Sequence, residues 1–233
     1  MSGITVILPE GEAREFSGEA SIADVFADML SNKQRKQTVA AGIENNLVDL
    51  STKLDSLGLE KVELRPVTIS SDEGLDILRH STAHLMAKAV LELYGPDLKV
   101  AIGPAIEDGF YYDFDRKAPF TPEDFESIEA KMQETAQSGI PFARKVVSKS
   151  EAIALFEEKD EQYKVELLKE IEGNSVSLYQ LGDFIDLCRG PHLPDTGYIK
   201  AIKLTTVAGA YWRGDEKNKM LQRIYGISFP DKK

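Results

Sequence analysis

The chain places its three histidines and its one cysteine in two short stretches. His80 and His84 stand four apart in RHSTAHLMAKAV, and Cys188 and His192 stand four apart in DLCRGPHLPDTG. Three imidazoles and a thiolate are a suitable donor set for tetrahedral zinc. They also suit a metal-free site, because imidazole titrates close to neutral pH and can take or give a proton there. In that second case Cys188 acts as a nucleophile or places a water. Four protein ligands would close a zinc shell, which describes a structural ion better than a catalytic one with an open position. Spacing by itself leaves both readings open.

The elements around these residues narrow where they sit. A helix is expected over about 74–94, capped by Ser71 or Asp72. Its apolar stripe is Leu75, Leu78, Thr82, Leu85, Met86, Ala89 and Leu93. His80 and His84 fall on a different face with Ile77, Ala87 and Leu91, which points to an apolar-lined cleft away from the main core face. FIDLC alternates as a strand, so Phe184, Asp186 and Cys188 point to one side. Gly190 and Pro191 stop any helix there, and a turn would bring His192 back over that side. Asp186 is then placed to anchor an ammonium or orient a histidine. Lys164 in QYKVELL reads as an ordinary solvated helix lysine.

The remaining pattern is α+β. ITVILP (4–9) and AREFSG form a hairpin, and SIADVFADML (21–30) a helix capped by Ser21. TVAAGIE, NLVDL and KVELRPV are further strands, while RPVTISSDEG (65–74), polar and proline-containing, reads as a linker. Beyond the long helix, LKVAIGPAI and GFYYDFD are a strand pair, and Thr121 followed by Pro122 opens another helix. SKSEAIALFEEK and EQYKVELLKEI are helical, and SVSLYQLGDFIDLC, IKLTTVAGAYWRG and MLQRIYGISF are strand candidates. No repeat or low-complexity tract interrupts them.

Composition sets the outer limits. With 233 residues, 42% hydrophobic and 29% charged, two soluble globular domains are expected. No apolar run reaches the 18 or so residues of a membrane span, and the N-terminus lacks the features of a signal peptide. A single cysteine allows no internal disulfide and fits a reducing, cytoplasmic setting. The net charge is −11, and residues 1–66 carry 7 basic and 11 acidic groups, so neither part is a basic domain. Indiscriminate phosphate-backbone binding is therefore not expected.

RHSTAHLMAKAV, AIGPAIEDGFYYDFD, GDFIDLCRGPHLPDTG and AGAYWRGDEKNKMLQRIYG resemble the N-terminal part of bacterial threonyl-tRNA synthetases nearly end to end. The two four-residue spacings alone would also fit the related alanyl-tRNA editing domains; AYWRGD…MLQRIYG points to the threonyl family. The resemblance implies a TGS-like domain of ubiquitin-like β-grasp fold at 1–65, a linker at 66–73, and a larger α+β editing domain at 74–227. Residues 228–233 would begin a connection to an aminoacylation core that the sequence does not contain. The implied activity is hydrolysis of seryl-tRNA(Thr), the mischarged product. It has a physical motive, since a missing methyl is worth only about 1–3 kcal/mol of discrimination in a binding pocket. By the same resemblance His80, His84, Lys164, Cys188 and His192 are catalytic, and Gly103, Tyr112 and Asp186 bind the seryl group. Editing would use no metal; zinc on His80, His84, Cys188 and His192, in a non-catalytic RNA-positioning module, is the alternative. ATP and a zinc ion would belong to the absent core, and no G-x-x-x-x-G-K-[ST] loop is present. The implied partner is the serine-charged acceptor end of tRNA(Thr), with no membrane partner. The chain is expected to be monomeric and its full-length parent dimeric.

Overall fold

The computed structural model describes residues 3–231. They divide into two compact units, one formed by residues up to 77 with 190–194, the other by 78–189 with 195 onward.

In the smaller unit β1 (Ile4–Ile7) and β2 (Ala13–Phe16) form the expected antiparallel hairpin. Helix α1 (Ile22–Met29) buries Ile22, Val25 and Phe26. It starts at Ser21, whose hydroxyl accepts from the Asp24 amide while the Asp24 carboxylate accepts from the Ser21 amide. A short α2 (Asn32–Gln37) follows from a second such box at Ser31. None of its residues is buried, so it left no apolar period to read. Then come β3 (Thr38–Ile43), β4 (Asn46–Asp49), β5 (Lys61–Glu63) and β6 (Arg65–Thr68). They make two sheets, in orders β2-β1-β5 and β4-β3-β6, with β1 parallel to β5.

KVELRPV is thus two strands in different sheets, not one. The break falls at Leu64, buried at 1% exposure, whose amide donates to the Ile7 carbonyl. Residues 65–68 pair with β3 where a linker was expected. Pro66 is tolerated there because β6 is an edge strand.

The boundary between the units falls within α3 (Asp72–Tyr94). Ser71 caps this helix, accepting from the Gly74 amide at 3.1 Å. The larger unit continues with β7 (Lys99–Val100), β8 (Ala105–Ile106) and β9 (Gly109–Asp115). Thr121 and Pro122 lead through a 3₁₀ turn into α4 (Phe125–Gln137). Next are β10 (Phe142–Ser148), α5 (Lys149–Glu158) and α6 (Gln162–Glu170). The hairpin β11 (Ser175–Leu181) and β12 (Phe184–Leu187) precedes β13 (Ala201–Tyr211) and β14 (Met220–Phe229). One sheet runs β13-β14-β9-β7, with β8 also on β9, and a second runs β10-β11-β12. Strand β10 was not read from the sequence: its pattern is one buried residue followed by four exposed ones, without alternation. The expected connecting stretch at 228–233 begins with residues that end β14, and Lys232 and Lys233 lie outside the described residues.

Helix α3 is buried on every side from residue 81 to 90, and Leu93 at the end of the expected stripe is 41% exposed. The helical phase therefore does not separate a core face from a cleft face, and His84 is as deeply buried as the stripe. Thr82 ties the helix to β14 through its hydroxyl on Ser228 Oγ at 3.0 Å. No described helix is long and apolar enough to cross a membrane. Both units mix helices with small sheets, so the fold class is α+β.

Candidate functional site

Helix α6 determines the centre of the site. Val165 and Leu168 pack with Ala152 and Phe156 of α5 against Val176 and Leu178 of β11. Tyr163 packs instead with Trp212 and Leu221. Lys164 lies between these two contacts and is enclosed, 2% exposed, in contrast to its reading as a solvated lysine. Its ammonium makes two hydrogen bonds and one ion pair. Nζ donates to the Ala101 carbonyl at 2.7 Å and to Tyr112 Oη at 3.0 Å, and it forms an ion pair with Asp186. Tyr112 Oη donates in turn to the other Asp186 oxygen at 2.6 Å. A buried charge is tolerable only when paired and hydrogen-bonded in this way. Burial, and then the Asp186 charge, push the Tyr112 phenol well above its ordinary range, so it remains a donor.

Gly103 stands against the back of that phenol. A Cβ there would lie 2.0 Å from Tyr112 Cδ2, so no larger residue fits without moving the ring. The His80 ring hydrogen-bonds to the Gly103 backbone, and its Nε2 lies 2.9 Å from Cys188 Sγ. The His80 and His84 rings meet edge-on at 4.9 Å, and His84 also contacts the rings of Phe184 at 6.0 Å and Tyr112 at 6.5 Å. His84 Nε2 is 3.5 Å from Asp186 Oδ2. Desolvation lowers His80, and it lowers His84 well below the usual imidazole range with help from His80 and Lys164. Both are consequently neutral bases at neutral pH.

His80, His84, Gly103, Tyr112, Lys164, Asp186 and Cys188 are thus brought together in the larger unit. His192 lies in the 190–194 segment assigned to the smaller unit, after a cis Gly190–Pro191 bond. It is 1% exposed, and its amide donates to the Asp49 carboxylate at 3.0 Å.

Two further residues belong to this centre and were not singled out from the sequence. Ser177 donates its hydroxyl to the Cys188 carbonyl at 2.6 Å and its own carbonyl accepts from the Cys188 amide, which fixes the main chain at the thiol. Counting outward from the Gly182–Asp183 turn, with Gly182 at φ +64, places 177 opposite 188. Glu161 precedes α6; its Oε2 is buried without a hydrogen-bond partner, and burial raises its pKa to about 7 against the opposing pull of Lys164 and Lys99. Nothing in DEQYKVE distinguishes it from a surface glutamate.

As metal donors, His80, His84 and Cys188 offer atoms within 4.8 Å of one another. Ligands of one tetrahedral zinc, with Zn–S about 2.3 Å and Zn–N about 2.0 Å, stand about 3.6 Å apart. The His80–Cys188 separation of 2.9 Å is that of a direct hydrogen bond, so a zinc ion would need that pair to open.

Comparison with known proteins gives first a class. Residues 176–225, from β11 into β14, match the family described as the threonyl and alanyl tRNA synthetase second additional domain. More particularly, the chain is similar over its whole length to threonine–tRNA ligases. It is 54% identical to that of Pelobacter propionicus over 233 residues, 100% of this chain and 36% of the relative. Identity to the Carboxydothermus hydrogenoformans enzyme is 54% over 98% of the chain, and to the Caldanaerobacter subterraneus enzyme 49% over 100%, in each case 35% of the relative. The chain spans about a third of the length of the curated relatives it matches.

Proposed function

We propose that the chain is an editing module that hydrolyses the ester of seryl-tRNA(Thr), releasing serine and free tRNA. The observation that carries the proposal is the buried Lys164–Asp186–Tyr112 network beside the His80–Cys188 pair. A charge enclosed to 2% exposure is a poor way to gain stability and a good way to hold preorganised electrostatics against a reacting group. In this reading a water attacks the seryl carbonyl and its proton passes to His80, the less buried imidazole. The bond to the ribose oxygen breaks, and that oxygen receives the proton. Lys164 stabilises the charge that develops on oxygen, Asp186 holds the seryl ammonium, and Cys188 places the water. Similarity to threonine–tRNA ligases supports the choice of tRNA and amino acid. The smaller unit, with β1 between an antiparallel and a parallel neighbour and α1 following, supports a β-grasp reading of the TGS kind. The proposed setting is the cytoplasm.

A second reading, a structural zinc site in an RNA-positioning module, rests on the three clustered donors. One experiment separates the two: deacylation of seryl-tRNA(Thr) by the purified chain, with and without chelator, alongside metal analysis. The proposal expects release of serine that chelation does not slow and that His80→Ala abolishes. Stoichiometric zinc, with unfolding on chelation and no serine release, would favour the second reading.

A further inference from the structure

The sheet that carries Asp186 and Cys188 continues past them to an exposed edge. Residues directly opposite on neighbouring strands point to the same face, and the register gives two rows. One runs Asp186–Tyr179–Arg144 and the other Cys188–Ser177–Val146. The rows end on β10, the sheet's edge strand, about 10 Å from β12 at two strand spacings. Beside them is an open groove of about 570 Å³, lined by Arg144, Val146, Ser177, Cys188 and Arg189 among others. This is a volume within the usual range for ligand sites.

The groove differs in charge and polarity from most of the surface. The chain has a net charge of −11, yet Arg144 and Arg189 both line the groove. Glu172 is the single acidic group in a wall that holds two arginines. Val146, beside Arg144 on β10 and at the outer end of the row that starts at Cys188, is 55% exposed. A guanidinium suits a phosphate diester, which it grips with two parallel N–H donors. An exposed apolar side chain suits the face of a base or sugar.

We propose that this groove seats the single-stranded RNA leading to the esterified nucleotide. Arg144 and Arg189 hold its phosphates, and Val146 packs against the nucleotide between them. The inference rests on the editing reading above and adds the direction from which the RNA approaches the site. It also accounts for RNA recognition by an acidic chain through a locally basic edge.

The test compares two substrates on the intact chain: seryl-tRNA(Thr), and seryl-adenosine, which has no phosphodiester. Arg144→Gln should raise KM for seryl-tRNA about tenfold, the loss of one charge-assisted hydrogen bond, with kcat unchanged. It should reduce the slope of log affinity against log salt by about one. Its rate on seryl-adenosine should match that of the wild type. Val146→Ser should raise KM for seryl-tRNA alone by a smaller factor. Equal losses on both substrates, or none on either, would overturn the groove. If the wild type hydrolyses neither substrate, the editing reading itself fails. Direct titration with an uncharged acceptor-stem RNA then judges the groove separately: weaker binding by Arg144→Gln supports it, and unchanged binding overturns it. Inorganic phosphate that binds the groove while that RNA does not would also overturn it.

Discussion

The centre of the smaller unit is apolar, closed over Val6, Ile22, Val25, Leu54 and Val62, and its ion pairs of Arg14 with Glu12 and Asp28, and of Lys53 with Glu19, are exposed. The larger unit also buries apolar groups, among them Leu78, Phe110 and Ile128, but encloses Lys164, Asp186, His84 and Tyr112 as well. One unit keeps its ion pairs wet and draws stability from apolar burial, with Asp49 a buried carboxylate held by the His192 amide. The other holds an ammonium, a carboxylate and a phenol where each must satisfy the next. Such networks are costly to break and give little net stability, which is why this one carries the proposed chemistry.

The sharpest way to break this comparison is at Lys164. Lys164→Met should lower serine release by about 10²–10³-fold, the scale for removing one preorganised electrostatic group. It should also destabilise the protein by roughly 3–5 kcal/mol, because Asp186 is left as an uncompensated buried charge. The double variant Lys164→Met/Asp186→Leu should recover most of the denaturant midpoint and none of the activity. A double variant as unstable as the single one would mean that the pair contributes stability after all. In the smaller unit the corresponding test is Phe26→Ala, at 2% exposure, where the cavity should cost about 3–5 kcal/mol in urea unfolding.

Glu161 provides a pH test. Its folded pKa of about 7 lies above its ordinary 4.5, so the native state keeps a proton that the unfolded chain releases. Its contribution to stability is full below 4.5 and is lost as pH rises through 7. The midpoint difference between wild type and Glu161→Gln should therefore change from pH 4.5 to 7.5 by on the order of 1–3 kcal/mol, and a flat difference would contradict the burial of this group. Ser21→Ala, at the exposed cap of α1, should cost about 1 kcal/mol. Smallest of all, Arg14→Gln should leave the midpoint where it was, because a wet ion pair adds little.

The same contrast decides what the sequence could reveal. Elements with one wet face were legible: α1 with its Ser21 box, the β1–β2 hairpin, and the alternation of FIDLC. Helix α3 was legible in extent, but its phase was not informative, because it is buried all round and a stripe has meaning only against a wet face. Strand β10 was hidden for the opposite reason, having too little buried to alternate. In the candidate site, His80, His84 and Cys188 were conspicuous by rarity. Lys164 looks like any charge on an amphipathic helix, and only the packing of α6 on two sides encloses it; Glu161, just before α6, looks like a surface glutamate.

Glycine at position 103 makes the size of the space around Tyr112 adjustable in one direction only. Every other residue is larger, and the gap behind the ring is already closed at 2.0 Å from a would-be Cβ. Mutational drift at 103 can only press the ring towards its partners. Substitution at this position therefore acts in one direction, towards less space around Tyr112.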